Sequence, residues 1–395
     1  MTPLLSTLAA LCTVAACSHP RPAAPRVGYV TLLGNDTVAA ESFVRTGNHL
    51  EGDILVRVPG TVHFHYVVDA AGDGSLSRSV LDMHPLGAPN MAERRVTLER
   101  VQDSVRIIVD SGGKTRTFTH AVDRAAIPTF MTGFDESFGL YESMGLWDLA
   151  MTRVPSSAND TMTVLGISVA SGRATLRRFL RRAPTAVDVD YFGMAWNHVT
   201  LDSAGQIAAV DARETTEQTR TLRSDGVDVM ALAKAFAKRD RDGHSLGSAS
   251  PTVTMQAKLG GSPIVVVYGS PRRRGRDVLG NVVPYDRVWR TGANAATILS
   301  SDKNLVIGGT AVPAGTYTLW TLPTKSGVQL IVNQQKGQWG TDYNARQDLA
   351  RIPMKATTAA SPLENFTIAI DGQGNTGELR IAWDTFVWTV PIEVK

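Results

Sequence analysis

Residues 61–83 read TVHFHYVVDAAGDGSLSRSVLDM. Phe64, Tyr66 and Val68 alternate with His63, His65 and Val67, a period of two that places one set on each face of a strand. Ala70-Ala71-Gly72-Asp73-Gly74 then supplies turn chemistry, and a second run follows over 75–83, so the stretch predicts two antiparallel strands. Similar runs lie at 27–33, 37–46, 54–58, 105–110 and 115–121, with Gly34-Asn35-Asp36, Gly47-Asn48 and Pro59-Gly60 between the first few. Six more occupy 161–169, 174–180, 186–192, 197–202, 206–212 and 216–222. Strand runs at this interval predict an antiparallel meander over 27–240, whose order of strands and helices looks like a curved sheet or half-barrel. Two helices are expected in it. One spans about 135–151, with Asp135 as cap and Phe138, Tyr141, Leu146 and Leu149 as an apolar stripe; the other spans about 224–239, with Val229, Leu232, Ala233 and Phe236 at helical spacing.

The chain of 395 residues is 43% hydrophobic and 19% charged, enough to bury two cores. Forty basic and 37 acidic residues leave +3 at neutral pH, which argues against a nucleic-acid partner with a concentrated basic footprint. Two Cys exclude a disulfide scaffold and a four-Cys zinc site.

Residues 4–14 (LLSTLAALCTV) are apolar but too short to span a bilayer core, and have the size of a signal-peptide apolar region. Val14-Ala15-Ala16-Cys17 looks like a bacterial lipobox, although Met1-Thr2-Pro3 lacks the usual Lys or Arg. The expectation is a lipoprotein signal peptide over 1–16, an acylated Cys17 anchoring the chain in the lipid bilayer, and a Pro-rich tether over 17–26. Ser18 in place of Asp resembles the outer-membrane sorting pattern, so an outer-membrane lipoprotein of the bacterial cell envelope is expected.

Residues 241–251 are polar, Gly/Ser-rich and aperiodic, and are expected to be a linker. Beyond them, eight strand runs and one short helix near 343–351 predict a β-sandwich over 252–395. Asp384-Thr385 is expected to be a tight turn between the last two. Five stretches stand out: Tyr268-Gly269-Ser270-Pro271 with Arg272-Arg273-Arg274-Gly275-Arg276; Val283-Pro284-Tyr285; Val288-Trp289-Arg290-Thr291-Gly292-Ala293-Asn294; Pro313-Ala314-Gly315-Thr316-Tyr317-Thr318-Leu319; and Gln338-Trp339-Gly340. Their order and spacing closely resemble the domain-of-unknown-function 2911 family of secreted bacterial proteins, over about 252–395. The resemblance implies an antiparallel β-domain in an exported protein and carries no established activity. Ala295 and Asp286 depart from the family pattern, which more often has an acid and a Gly there.

Arg274, Arg276, Tyr285, Arg290, Asn294 and Trp339 are the candidate ligand-binding residues: Arg forks suit carboxylate or phosphate, Asn donates and accepts, and the rings offer flat faces for a small anionic, sugar-like or apolar ligand. Their competing role is to lock loops and fill core. With no His or Cys in 251–395, that half cannot build a Ser-His-Asp triad or a His-based zinc site. In the first half His63 and His65 leave one strand face together, a candidate metal pair needing a third ligand such as His84 or His120; a polar, half-exposed strand face is the plainer alternative. Arg177-Arg178-Phe179-Leu180-Arg181-Arg182 is expected to be a solvated strand edge.

The meander-helix-meander order also looks like the half-barrels of lipid-binding envelope proteins, an architectural likeness only. The expectation is a membrane-anchored binding module with no cofactor and no catalytic residue; the alternative is an envelope hydrolase or metalloprotein using His63 and His65. Replacing the anchor, Cys17→Ser, should move the chain from the membrane fraction to the soluble fraction on ultracentrifugation. An unchanged membrane pool would contradict the lipobox reading.

Overall fold

The structure is a computed structural model that describes residues 25–57, 59–87, 91–121, 127–129, 142–168, 174–191 and 195–395. Cys17, the leader and nearly all of the tether lie outside these residues. The chain forms two β domains, each built on its own sheet.

The first half of the amino-terminal domain is β1 (Val27–Leu33), β2 (Asp36–Thr46), β3 (His49–Val56), β4 (Val62–Ala70), β5 (Leu76–Pro85), β6 (Arg94–Val101), β7 (Ser104–Ser111) and β8 (Lys114–Ala121). After β9 (Ile127–Thr129) and α1 (Met144–Met151) come β10 (Thr161–Ser168), β11 (Ala174–Ala183), β12 (Ala186–Tyr191), β13 (Ala195–Leu201), β14 (Ile207–Asp211), β15 (Thr219–Arg223) and α2 (Val229–Arg241). All 15 strands share one sheet, running from β8 back to β1, then β15 down to β9. The chain thus begins mid-sheet, walks to one edge, crosses, and returns so that β15 pairs with β1. Every pairing is antiparallel except β9 beside β10. Residues from β3 to β7 and from β11 to β14 join one core around α1, so the sheet curls about that helix without closing.

The strand β6 was not expected from sequence. Its residues, RRVTLERV, bury only Val96 and Leu98, too few apolar positions to announce a strand.

An eight-residue helix has little stability of its own. Here α1 is built by its surroundings. Ser143 is extended and caps it, accepting from the Leu146 N–H at 3.3 Å. Asp135 is therefore not the cap of α1; the expected stretch 135–141 lies outside the described residues. Leu146, Trp147, Ala150 and Met151 enter the core, each large side chain contributing about 1.5–3 kcal/mol on burial.

The decisive partner is Glu41. In β2, Ala39, Glu41 and Phe43 share the core face, and Glu41 is 0% exposed. Its carboxylate accepts from the Tyr66 hydroxyl (2.6 Å), the Ser143 hydroxyl (2.6 Å), the Met144 N–H (2.6 Å) and the Gly145 N–H (3.2 Å). A negative charge at a helix N-terminus, fully hydrogen-bonded, is the arrangement that makes such burial tolerable. Gly145 is needed for it, because a Cβ there would lie 2.5 Å from the Tyr66 oxygen. Burial, followed by the Glu41 charge, raises the Tyr66 pKa well above 10, so the phenol stays a donor.

On the opposite face, α2 covers β2 and β3: Ala40 and Leu55 pack with Val229 and Ala233. Asp228 caps α2, accepting from Ala231, so this helix starts later than 224 and runs to Arg241. The segment after it is pinned rather than free: the Ser245 hydroxyl donates to the Pro59 carbonyl, and Leu246 packs with Leu33 and Val38.

The carboxy-terminal domain comprises β16 (Thr252–Leu259), β17 (Ser262–Gly269), β18 (Ala293–Ser301), β19 (Leu305–Ile307), β20 (Thr310–Val312), β21 (Gly315–Thr324), β22 (Gly327–Asn333), β23 (Asp348–Gln373) and β24 (Thr376–Val394). The first part of β23 pairs with β22 and the rest with β24, so the nine-strand network folds over and packs its two faces together as a sandwich. Two local expectations are corrected. The short helix is a 3₁₀ turn (Ala345–Gln347), and Asp384 is a left-handed bulge (φ 50°) inside continuous β24, not a turn between strands.

Removing the buried carboxylate tests this architecture. Glu41→Ala should lower the stability of the amino-terminal domain by about 3–5 kcal/mol, since it strands the donors of Tyr66, Ser143 and the α1 terminus. Urea unfolding followed by Trp147 fluorescence measures it; a loss below about 1 kcal/mol would mean α1 does not depend on Glu41.

Candidate functional site

The six candidate ligand residues separate into three places. Arg290, Asn294 and Trp339 meet. Asn294 adopts φ 63°, and its carbonyl accepts from the Gly340 N–H at 2.9 Å, while Ala295 bridges to Trp339. Gly340 is required there, since a Cβ would lie 2.0 Å from Cδ of Arg290. The two motif stretches are thus one structural unit, with the Arg290 stem laid against Gly340. Asn294 Nδ2 donates to the Ser250 carbonyl at 3.3 Å, and Trp339 is 38% exposed at the surface of this cluster. Trp289 instead belongs to the core, stacked on Trp383 and edge-on to Phe366.

Arg274 and Arg276 sit elsewhere, at the junction with the first domain. Arg274 pairs with Asp36 of β2, and its carbonyl accepts from the Asn35 N–H. Arg276 donates from Nε and Nη2 to the carbonyls of Arg273 and Arg272. Tyr285 is separate from both groups, beside Gly280.

His63 and His65 share a carboxylate. Asp53 Oδ1 lies 3.1 Å from His63 Nε2 and 3.1 Å from His65 Nδ1, and the His63 ring stacks on His84 at 5.9 Å. Among the described residues no group of three or more His, Cys, Asp or Glu is placed to hold a metal ion. Asp53 is partly buried, which works against its charge, yet the bonds from the two imidazoles hold its carboxyl below the usual range.

The Arg-rich strand β11 corrects another expectation. Arg177 and Arg181 point inward and are buried, with only Arg178 and Arg182 outside. Arg177 pairs with Glu142 and donates to the Asp190 carbonyl; Arg181 donates to the Pro155 and Pro184 carbonyls. Burial raises the Glu217 carboxyl to about 8 despite the Arg177 charge. Period-two alternation was visible here, but not which parity faced the core.

A feature absent from the sequence reading lies at the β8 edge. Val105, Ile107 and Val109 of β7 face the core, and opposite them on β8 stand His120, Phe118 and Arg116, with Lys114 opposite Ser111. The core-side face therefore continues onto β8 but changes character there. Phe118 is 43% exposed. Ser111, Lys114, Thr115 and Arg116 line a cleft of about 590 Å³. Arg94 of β6, opposite Ser111, adds a third cation; burial, then Arg116, lowers its pKa. One apolar ring beside Arg94, Lys114 and Arg116 forms an amphipathic lip.

On β13, His198 stands opposite Asp188 of β12 and contacts its carboxylate (2.7 Å) and that of Glu214 (3.4 Å). Partial burial opposes its charge, but the two carboxylates outweigh it and raise its pKa above 6.5. A raised folded value stabilises the fold fully below about pH 6.5, and that contribution is lost as pH rises through the folded pKa. Stability should thus fall by about 0.5 kcal/mol across this window, a small figure because the ring is partly exposed. His198→Asn should flatten the step in pH-dependent urea midpoints; an unchanged step would assign it to another group.

No curated protein matches the chain. One solved structure, the crystal structure of a DUF1089 family protein from Pseudomonas aeruginosa, resembles it at a TM-score of 0.32 with 11% identity, covering 44% of this chain and 89% of that one. A likeness so shallow carries no argument. Residues 250–392 match the model of a family described as protein of unknown function (DUF2911), a stretch that holds the carboxy-terminal sandwich with its joined Arg290–Asn294 and Trp339–Gly340 stretches.

Proposed function

We propose that the chain is an envelope lipoprotein, tethered to the outer membrane through acylated Cys17, whose amino-terminal domain binds an anionic amphiphile at the β8 lip. The observation that carries this reading is Phe118, exposed on β8 in line with the core-facing side chains of β7, with Arg116 and His120 as its same-face neighbours and Lys114 beyond Arg116. Exposed aromatic surface next to a concave, cation-lined cleft is the chemistry an acyl chain with an acidic headgroup would meet. Phe118 would take apolar area from the chain; Arg94, Lys114 and Arg116 would meet the headgroup, Arg through paired N–H donors. The sheet order supports access, because β8 is an edge and nothing hydrogen-bonds beyond it among the described residues. A tether at Cys17 would hold this lip near a lipid surface. On this reading the carboxy-terminal domain is the rigid mount, docked through Arg274 and Asp36.

Titrating the full chain with a fluorescent phosphatidylglycerol analogue tests the reading. Phe118→Asp and Arg116→Glu should each weaken binding about tenfold, equivalent to about 1.4 kcal/mol. His63→Ala should leave it unchanged. Equal affinity in all variants would overturn the assignment of the site.

A further inference from the structure

The junction between the domains buries more positive charge than it pairs. There the β1–β2 turn meets the loop at Arg272–Arg276 closely: a Cβ on Gly34 would lie 2.0 Å from the Arg274 carbonyl oxygen, and one on Gly275 would lie 2.2 Å from Asn35 Nδ2. Arg57 and Arg274 are 3% and 5% exposed. Arg274 spends Nη1 on the Asp36 carboxylate, and Arg57 spends Nη1 on the Thr37 carbonyl at 2.8 Å. The two grips land on consecutive residues at the start of β2, and the charges of the two guanidinium groups act on each other. The flat face of Arg57 lies over the Phe236 ring at 3.6 Å, which leaves its donor edge.

That edge is unused. Nε and Nη2 of Arg57, and Nε and Nη2 of Arg274, are buried with no hydrogen-bond partner. Of the nearby carboxylates only Asp240 keeps a buried oxygen, Oδ1, without a partner, and that single acceptor cannot serve four unused donors. Asp36 pairs with Arg274, Glu364 accepts from the Arg274 backbone N–H, and Asp240 Oδ2 accepts from the Thr61 N–H. Arg276 adds a third positive charge; burial, then Arg274, brings its pKa down to about 10. Buried donors are nearly always satisfied, and buried charge is nearly always compensated.

We infer that a small oxyanion of the phosphate or sulfate class occupies this junction, accepting from the Nε and Nη2 pairs of Arg57 and Arg274. The pair of donors on one edge of a guanidinium matches two oxygens of such an ion, and two forks satisfy it from two sides. The ion bridges one arginine from each domain, so it fastens the domains together. This site is distinct from the β8 lip and does not depend on it.

The test is the thermal unfolding midpoint of the full chain, titrated with inorganic phosphate and with sulfate against chloride at matched ionic strength. A saturable rise is expected. Arg57→Gln and Arg274→Gln should each raise the half-saturating concentration at least tenfold, Arg57→Lys should raise it less, and Phe118→Asp should leave it unchanged. A midpoint indifferent to phosphate, or one that responds equally in the wild type and in both Gln variants, would overturn the site. A response to glycerol phosphate without one to inorganic phosphate would overturn its assignment to a free ion. If neither Gln variant folds, native mass spectrometry of the wild-type chain decides: one retained oxyanion supports the site, and a bare chain overturns it.

Discussion

A single buried carboxylate organises the amino-terminal domain. Glu41 projects from β2 into the core and receives four hydrogen bonds, two of them from the backbone start of α1. Charge in an apolar interior is costly unless fully satisfied, so the sheet must bring Tyr66, Ser143 and the helix terminus to one point. That requirement places α1 against the sheet, and with α1 in place the strands on either side of β1 share one core. A sheet curled around a helix this small has no reason to close, and its outer edge is left as a lip.

The two faces of β2 explain the rest of the layout. Its inner face holds Glu41 and Phe43, its outer face holds Ala40 beneath α2, and its first residue, Asp36, reaches the Arg274 loop of the second domain. One strand therefore supports the core, the outer helix and the domain junction. The carboxy-terminal sandwich depends less on buried polar contacts. Trp289, Phe366, Trp383 and Phe386 fill its centre with stacked and edge-on rings, which are tolerant of position and add packing energy to burial.

Local pattern made much of this legible. Alternation in 61–83 and the helical spacing around Val229 point to elements that exist, and the motif stretches around Trp289 and Trp339 identify the second domain. What local pattern hides is partnership across distance. Arg274 reads as a loop cation suited to a ligand, yet its partner Asp36 is 238 residues away, and Arg57 carries no motif at all. Glu41 follows Ala39-Ala40 in a run whose parity is set only when α1 arrives. Arg177 and Arg181 look solvated until Glu142 and the facing carbonyls are known. The lip at Phe118 was legible as a strand but not as a change in character of the core face, because that depends on where β8 sits in the sheet order.

Hydrogen–deuterium exchange of the full chain, with and without phosphatidylglycerol micelles, tests the account at its centre. Amides of β7 and β8, between Ser104 and Ala121, should gain protection while α1 and residues 252–395 stay as they were. Protection concentrated instead around Arg290 and Trp339, with β8 unaffected, would place ligand recognition on the sandwich and contradict the picture of an open-edged sheet as the binding element.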